Sequence, residues 1–444
     1  MIKSVEHFIN ISSIIIVSYL CLSMSFTFYK DIKRRIMRPK DEINNKSADI
    51  AGIYMFMHSV VSNLDLIILV FVSQYLCKDM DPATSTAMAC IPLSVCSAGQ
   101  WIGTFMATPI SKILGEKKSG YIFTLFSIIT ILLIVLSLKA GIFALYVIGK
   151  FFFGLFIKGG LYVLGDTIPF GATSEEVKVN AVNSTRQATY SASILTILIS
   201  GYISQCISYS ATYLIGALVI FFMLILVPLF FPINSKHISL TKTMDKKRSL
   251  GWSMWLMPSM LIFIIFFMIP RSVMLGYESY LFPLYTSNSG ISTLVITNIN
   301  VFAKTAAYIL GNSINKFTKN RSRLSILGGS QLSIAITFAL FFIFPNVYWA
   351  MFVLFISAIC DRMTQAVATL YVNDIAIKNG YDEKQEVSNY YSVNSATYCL
   401  QSPVLSAFLN LGYNMAATTV GIICWLMLSI FSIFNIKSKN EKSN

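Results

Sequence analysis

Long apolar segments recur along this chain and alternate with short polar turns. A helix needs about 20 apolar residues to cross the core of a bilayer, and runs of that length appear throughout the sequence. The pattern therefore predicts an all-α integral membrane protein, with one outlying span followed by twelve. The predicted spans lie near residues 8–29, 50–76, 83–110, 120–138, 142–168, 183–206, 211–231, 258–284, 292–314, 324–344, 348–375, 387–410 and 415–435.

Composition and charge agree with this class. Of the 444 residues, 55% are hydrophobic and 12% are charged, which is about half the charged fraction of soluble domains. The loops that fall on one side of the alternating spans hold 25 of the 34 Lys and Arg residues, and the other side holds three, Lys3, Lys78 and Lys139. This bias marks the cytoplasmic side. We therefore expect a multi-pass protein of a bacterial plasma (inner) membrane, in contact with the lipid bilayer and without a nucleic-acid partner.

Enzyme and metal chemistry find little support in the residues. The eight cysteines are scattered without a C-x-x-C pair, the three histidines are far apart, and neither G-x-S-x-G nor a P-loop occurs. Buried, unreactive thiols are the expected interpretation. The sequence thus predicts no enzyme, no cofactor and no metal site. Because the first span lacks a small-residue cleavage pattern, it is expected to remain as an anchor.

The twelve later spans form two sets of six that repeat one another. Three features recur at an offset of 208 residues: Gly103 and Gly311, Asp166 and Asp374, and the tripeptide ATY at 188–190 and 396–398. The predicted domains are an N-terminal anchor with a basic linker (1–48), a first six-helix bundle (49–232), a basic cytoplasmic loop (233–250), a second six-helix bundle (251–436) and a tail (437–444).

Two such halves joined by a long basic loop resemble the major facilitator superfamily, over about residues 50–436. Its glycine-to-basic signature appears as "GTFMATPISKILGEKK" (103–118), with an echo "GNSINKFTKNRSR" (311–323), and its acidic-x-x-Pro signature as "DTIP" (166–169). The family's usual acidic residue in the first signature falls on Lys112. The resemblance implies two pseudo-symmetric bundles, here preceded by one extra helix, and alternating-access transport of a small-molecule substrate. We expect a monomer.

Asp166 ends the fourth span of the first bundle, where the helix dipole disfavours a negative charge. It therefore needs a cationic partner, and the candidates are Lys117 and Lys118 in the neighbouring cytoplasmic loop; the resemblance indicates the same loop. Such ion pairs would close the cytoplasmic side as a gate and break when the halves rock apart. The alternative is a solvated acid that contributes little. The corresponding set in the second half is Asp374, Arg321 and Arg323.

Ionisable side chains inside spans are the candidates for a substrate and coupling cavity, because each costs about 2.5 to 3.5 kcal/mol to insert at mid-membrane. In the resembled family, spans one, four, seven and ten of the twelve line the central cavity, and all the candidates except Lys304 lie on these spans. They are His58 and Asp65 (span one), Lys158 (four), Arg271 and Glu278 (seven), Lys304 (eight), and Asp361 and Arg362 (ten).

Spacing and chemistry suggest roles for these residues. His58 and Asp65 are seven residues apart, as are Arg271 and Glu278, and Tyr162 follows Lys158 by four, so each pair should share one helix face. A carboxylate among apolar helices can carry a proton, which makes Asp65 the first candidate for proton coupling, ahead of Glu278 and Asp361. Three of these side chains are cations suited to a carboxylate or phosphate: Lys158, Arg271 and Arg362. Together with the small excess of positive charge among the intramembrane residues, they favour an anionic or zwitterionic substrate.

An alternative is that these charges pair across the bundle and hold the halves in register, Asp361 with Lys158 or Asp65 with Arg271. Three functions therefore stay open. The first is a proton-coupled transporter of a small solute. The second is a non-transporting sensor or regulator, which the extra span and the altered glycine-to-basic signature suggest. The flank of that span, "DIKRRIMRPKDEI" (31–43), either resembles the linker under bacterial sensor helices or is the basic stop-transfer flank of an anchor. The third is a lipid or lysolipid transporter.

Overall fold

The computed structural model describes residues 2–39, 42–166, 168–230, 252–310, 313, 321–381 and 383–440. All regular secondary structure in these ranges is helical. Apolar runs form helices in a bilayer because a helix satisfies its own backbone hydrogen bonds where water is absent. The predicted all-α fold is confirmed, and a helix extends over the predicted outlying span.

The helices up to residue 230 follow the predicted spans closely. A π-helical turn, Tyr162–Asp166, and a 3₁₀ turn, Ile168–Gly171, connect the eighth helix to the ninth. The α-helices are α1 (Ile2–Met37), α2 (Ile43–Ala48), α3 (Ala51–Ser62), α4 (Leu69–Leu76), α5 (Pro82–Met88), α6 (Cys90–Leu114), α7 (Glu116–Ala140), α8 (Phe143–Leu161), α9 (Glu175–Cys206) and α10 (Tyr209–Phe230).

From residue 252 onwards the first membrane helix is a rod with two π-helical turns, Ile264–Met268 and Tyr277–Leu281, which join its three α-helical pieces. The α-helices of this part are α11 (Pro258–Phe263), α12 (Ile269–Gly276), α13 (Phe282–Asn288), α14 (Thr293–Ile309), α15 (Arg323–Ala339), α16 (Val347–Asn379), α17 (Glu383–Tyr398), α18 (Gln401–Ala407) and α19 (Tyr413–Asn440).

Each of the three π-helical turns contains the residue four positions before a proline. Gly165 precedes Pro169, Phe266 precedes Pro270, and Ser279 precedes Pro283 by four residues. Proline lacks an N–H and its ring clashes with the carbonyl four residues earlier, and widening the turn relieves this conflict. Prolines thus explain where these membrane helices change their winding.

Within the described residues, six helices are long and apolar enough to cross a membrane: Glu116–Ala140, Phe143–Asp166, Pro258–Asn288, Arg323–Phe342, Val347–Asn379 and Tyr413–Phe434. Three other predicted spans are interrupted. Residues 63–68 separate α3 from α4 in span 50–76, Ala89 separates α5 from α6 in span 83–110, and residues 399–400 separate α17 from α18 in span 387–410. The predicted basic loop 233–250 lies outside the described residues.

The chain forms two compact units, Met1–Met244 with Thr293–Val301, and Asp245–Ser292 with Phe302–Asn444. The beginning of α14 therefore belongs by its contacts to the first unit. The predicted boundaries of the anchor, the two bundles, the loop and the tail stay predictions.

In the first unit, α6 and α8 cross with their backbones in contact. A Cβ at Gly103 would lie 2.2 Å from the Leu155 carbonyl oxygen, and one at Gly154 would lie 2.1 Å from the Cys96 carbonyl oxygen. Only glycine permits this approach, which is a usual way to bring membrane helices together. The crossing fixes α8 in the middle of the unit, where it carries Lys150 and Lys158.

In the second unit, aromatic side chains hold the proline-containing rod. The Phe267 ring centroid lies 5.0 Å from that of Phe263 and 5.4 Å from that of Phe431 on α19. Tyr277 stacks edge-on against Phe338 of α15, with ring centroids 4.9 Å apart, and donates a hydrogen bond to the Ala350 carbonyl oxygen at 2.9 Å. These contacts position Arg271 and Glu278.

A polar contact before each bundle supports the internal repeat. In the first unit Asn45 Oδ1 accepts hydrogen bonds from the Thr173 N–H at 2.9 Å and hydroxyl at 3.1 Å. In the second unit the Ser253 hydroxyl donates to the Tyr381 hydroxyl at 3.3 Å. Ser253 and Tyr381 follow Asn45 and Thr173 by the same 208 residues that separate Asp166 from Asp374.

Candidate functional site

Asp65 and Lys150 form a buried ion pair in the first unit. Lys150 Nζ lies 2.5 Å from Asp65 Oδ2, and the Tyr213 hydroxyl donates to the same oxygen at 2.5 Å. The Tyr146 hydroxyl lies 3.1 Å from that of Tyr213, and the Lys150 ammonium lies 4.6 Å from the ring centroid of Phe153. The four polar side chains are buried. The Lys150 cation therefore balances the charge of the Asp65 carboxylate, and the Tyr213 hydroxyl adds a hydrogen bond.

Asp65 lies in a break of the first bundle's first span. α3 ends at Ser62 and α4 begins at Leu69, and between them the Leu69 N–H donates to the Asp65 carbonyl oxygen. The expectation that His58 and Asp65 share one helix face is wrong, because the helix stops between them. Non-helical backbone at membrane depth is tolerated only inside the protein or along a cavity, and broken helices often carry substrate or coupling-ion sites.

Lys150 and Tyr213 are not among the site residues predicted from the sequence. Lys150 lies in the same predicted span as Lys158, eight residues earlier, which places both on one face of α8. A second lysine in one apolar run was the available signal. Tyr213 gave no comparable signal, because tyrosines are common near the ends of membrane helices.

His58 is buried against α8. Its Nδ1 lies 3.2 Å from the Tyr54 carbonyl oxygen, so we assign the proton to Nδ1 and leave Nε2 as an acceptor. Among the described residues Nε2 has no hydrogen-bond partner. It faces Gly160, where a Cβ would lie 2.8 Å away. The role predicted for His58 in a solute cavity stays a prediction.

Asp166 ends the π-helical turn after α8, with 11% of its side chain exposed. Its Oδ2 lies 4.0 Å from Lys158 Nζ, and Arg186 on α9 also acts on it electrostatically. Lys158 and Arg186 thus take the place of Lys117 and Lys118, the partners that the sequence predicts for Asp166. The proline-induced π turn keeps Asp166 beside α8 and α9, whereas Lys118 on α7 is exposed.

Lys158 and Tyr162 lie on either side of the point where α8 becomes π-helical. The Tyr162 hydroxyl accepts a hydrogen bond from Thr108 Oγ1 of α6 at 3.3 Å. Lys158 keeps 20% of its side chain exposed. Of these two, Lys158 is the more exposed side chain.

Arg271 is the centre of a polar network in the second unit. Its guanidinium donates to Asp361 Oδ1 at 2.6 Å, and Gln365 donates to the other Asp361 oxygen at 2.9 Å. The remaining acceptors of Arg271 are Thr364 Oγ1 at 3.4 Å, Asn394 Oδ1 at 3.1 Å and the Tyr398 hydroxyl at 3.5 Å. The network ties α12 to α16 and α17. Arg271 is 2% exposed, so protein groups already occupy the donors expected to bind an anion.

Glu278 and Lys304 form a third intramembrane pair. Lys304 Nζ lies 2.7 Å from Glu278 Oε1, and these side chains are 15% and 18% exposed respectively. Arg271 lies in α12 and Glu278 in the π-helical turn that follows it, and the common face predicted for them stays a prediction. The alternative pairings of Asp361 with Lys158 and Asp65 with Arg271 are wrong, because Arg271 and Lys150 respectively occupy these carboxylates. Arg362, next to Asp361, is partly exposed.

Arg323 and Asp374 form the ion pair that the sequence predicts for the second half, and Arg323 also donates to the Leu370 carbonyl oxygen. The two side chains are 37% and 52% exposed. Arg321 lies two residues before Arg323, and it is exposed. Gly311 and most of the predicted second signature lie outside the described residues.

Comparison with known proteins identifies the family. The family model of the Major Facilitator Superfamily matches residues 50–406. The chain belongs to this superfamily. The match begins at the predicted first bundle, so α1 and α2 precede it.

Curated relatives match over a short stretch. Over 84 residues the chain is 34% identical to the solute carrier family 2, facilitated glucose transporter member 9, of Mus musculus, and 33% identical to that of Homo sapiens. The stretch is 19% of this chain and covers 15% of each relative's length. This match is therefore a local sequence similarity.

Solved structures of superfamily transporters share the fold. A POT family transporter in complex with 5-aminolevulinic acid has a TM-score of 0.68 at 14% identity, over 88% of this chain and 96% of that one. A D-xylose-proton symporter has a TM-score of 0.65 at 11% identity, over 85% and 96%. At these identities the likeness shows the fold, which is that of a multi-pass membrane protein.

Proposed function

We propose that this protein is a secondary active transporter that moves a small solute by alternating access, coupled to protons, as a monomer in a bacterial plasma membrane. The observation that carries the proposal is the pairing of Asp65, in the broken first span, with Lys150 of α8 and Tyr213 of α10. An ionisable carboxylate inside the membrane is costly and is by default a functional candidate. The proposal needs no cofactor and no chemical step.

Asp65 is the proton acceptor in this proposal. When Asp65 takes up a proton, the Lys150 ammonium loses its counter-charge inside the unit. Removing one partner of a buried ion pair costs about 3 to 5 kcal/mol. A two-state equilibrium moves from 1:99 to 99:1 with about 5.5 kcal/mol, so protonation supplies much of the energy needed to change the favoured state.

The solute is an anionic or zwitterionic small molecule. Lys158, Glu278, Lys304 and Asp361 keep 15% to 20% of their side chains exposed, whereas the side chains of Asp65, Lys150 and Arg271 are 5% exposed or less. The first four can therefore exchange a protein partner for a solute group. The pair of Glu278 and Lys304 suits a zwitterion in particular, because the ammonium and carboxylate of the solute leave neither charge unpaired.

The cytoplasmic gate in this proposal consists of two acidic helix ends. Asp166, beside Lys158 and Arg186, closes the first unit, and Asp374 with Arg323 closes the second. The two acids are equivalent positions of the repeat, and each lies near a cation of its own unit. The pair of Arg323 and Asp374 is exposed, so it contributes little to stability and can break at low cost, which suits a contact that opens in every transport cycle.

Solute-driven proton movement tests the proposal. Purified protein in liposomes that enclose a pH-sensitive dye is exposed in turn to amino acids and dipeptides, organic anions, sugars and lysolipids. We expect one class of zwitterions or anions to enter together with protons, and Asp65→Asn to abolish the dye response. Asp79→Asn is the matched control, since Asp79 is exposed in the turn after α4.

Other outcomes identify the competing functions. A solute that raises the melting temperature but is not taken up would contradict transport and support a sensor. Movement of a fluorescent lysolipid without uptake of any soluble compound would support a lipid transporter. Solute uptake that is unchanged in Asp65→Asn would retain the transporter and refute the proton site.

A further inference from the structure

The segment before the first bundle, α1 and α2, makes hydrogen bonds to the predicted cytoplasmic end of that bundle. Asp31 lies two residues past the predicted span 8–29, is 2% exposed, and accepts a hydrogen bond from the Ser184 hydroxyl of α9 at 2.6 Å. Arg38 donates to both carboxylate oxygens of Asp49, which precedes α3. These contacts lie along the polar side of the segment and fix it at two separate points.

Apolar contacts run beside the polar ones. Met24 of α1 belongs to a buried cluster with Met55 of α3, Leu161 of α8 and Ala188 of α9. The Phe28 ring packs edge-on against Phe56, with centroids 5.4 Å apart. In α2, Ala48 packs with Val177 and Ala181 of α9. The segment thus has a packed interface with the bundle, which a simple membrane anchor does not need.

Gly52 allows three helices to meet at one point. A Cβ at Gly52 would lie 2.1 Å from the Ser184 hydroxyl oxygen. Glycine therefore lets α9 approach α3 closely enough for Ser184 to reach Asp31 of α1. Any larger residue at 52 would displace the hydroxyl that binds Asp31.

The third polar contact reaches the connection that contains Asp166. Asn45 Oδ1 binds the backbone N–H and the hydroxyl of Thr173. Thr173 lies between the turns that follow α8 and the beginning of α9, so Asn45 holds the far side of an irregular connection whose near side is Asp166. A connection without regular α-helical hydrogen bonds can bend unless another element supports it.

We propose that Asp31, Arg38 and Asn45 form a clamp that sets the position of the Asp166 connection. The additional N-terminal helix is then a positioning element for the cytoplasmic gate as well as an anchor. This inference rests on the gate proposed above and is independent of the solute and of proton coupling. When the clamp is released, the connection from 168 to 174 opens more often and the gate loses its fixed geometry.

Hydrogen exchange of the full-length protein tests the clamp. In Asn45→Ala and Asp31→Ala, we expect amide exchange at 168–174 to rise about tenfold, as for the loss of a hydrogen-bonded contact. Exchange in α7 should stay unchanged. Asn183→Ala is the matched control, since Asn183 is the exposed neighbour of Ser184 on α9, and it should behave as wild type.

Conservative variants separate positioning from folding. Thr173 is exposed, so Thr173→Val is tolerated and removes only the hydroxyl contact; it should raise exchange at 168–174 by about threefold, and Thr173→Ser should restore the wild-type rate. These two variants decide the question if Asn45→Ala fails to fold. Unchanged exchange at 168–174 in every clamp variant would overturn the proposal, as would a rise spread evenly over the whole first unit.

The exchange experiment requires no transport. Local loosening at 168–174 in a protein that moves no solute would support the clamp and refute the transporter. Normal solute uptake without any local loosening would refute the clamp alone.

Discussion

Lys150 donates a hydrogen bond to Asp65 across 2.5 Å, and both side chains are 5% exposed or less. The repeat does not duplicate this pair, since 208 residues later the corresponding positions are Val273 and Ala358. The second unit places its buried pair, Arg271 and Asp361, elsewhere. The two halves have therefore kept the polar contact before each bundle and the acid at the end of the fourth span, whereas their buried charges have diverged.

The ion pair predicts a large loss of stability when one partner is removed. In Lys150→Met, Asp65 keeps only the Tyr213 hydroxyl, so we expect a loss of about 3 to 5 kcal/mol, seen as a lower melting temperature in detergent. The double variant Asp65→Asn with Lys150→Met should recover most of it. Lys139→Met, at the exposed end of α7, is the control. A Lys150→Met protein as stable as wild type would contradict the buried pair.

Substitution of a glycine in the α6–α8 crossing and of a glycine outside it should have opposite effects on stability. Gly103→Val forces side-chain atoms into the Leu155 backbone and should lower stability by about 3 kcal/mol or more, as overpacking does. Gly329 lies in α15 with nothing within 4 Å of its ideal Cβ, so Gly329→Ala should be neutral or stabilise by up to about 1 kcal/mol. Thermal melting of both variants measures this difference. Equal melting temperatures would show that α6 and α8 do not touch as described.

Because the pair of Arg323 and Asp374 is exposed, we expect its removal to change the conformational preference of the protein with little change in stability. Asp374→Asn should alter the unfolding free energy by only about 0 to 1 kcal/mol, as surface pairs do. We expect cytoplasmic accessibility to increase, which labelling of a cysteine placed next to Lys158 with a membrane-impermeant reagent would measure. A large drop in melting temperature, or labelling identical to that of the parent cysteine variant, would argue against a gate.

The clamp predicts that acid strengthens the docking of α1. Burial raises the pKa of Asp31, which nearby Asp49 reinforces, while the Ser184 hydroxyl and Arg34 oppose the rise. The docked state therefore binds a proton more readily than the undocked state. Its stabilisation is complete below the ordinary aspartate pKa and is lost as the pH rises through the docked-state pKa.

Melting temperatures at several pH values check the sign. In Asp31→Asn the side chain at position 31 carries no charge at any pH. The stability of wild type relative to this variant should therefore rise as the pH is lowered from 7. Asn183→Ala supplies the control for the pH dependence of the other groups. A difference that stays flat or falls with acid would refute the predicted direction.

Some features of this protein could be predicted from its sequence and others could not. The spans, the family and the pair of Arg323 with Asp374 followed from the chain, because hydropathy and short signatures are local properties. Asp166 has other partners than the predicted Lys117 and Lys118, because the π-helical turn before Pro169 keeps it beside α8 and α9. The prolines at 270 and 283 carried the same information about the π-helical turns on either side of Arg271. The break at 63–68 contains neither glycine nor proline, so no local signal announced it.

The sequence by itself determined the membrane class, the doubled architecture and the list of charges that need partners, since each depends on residue type and spacing along the chain. Only the tertiary structure decided which charges meet. Asp65 and Lys150 are 85 residues apart, and Arg271 and Asp361 are 90 apart. Ion pairs inside a membrane need contact at about 3 Å, and that distance is set by how glycine-lined helices cross and where prolines widen them, which hydropathy does not record.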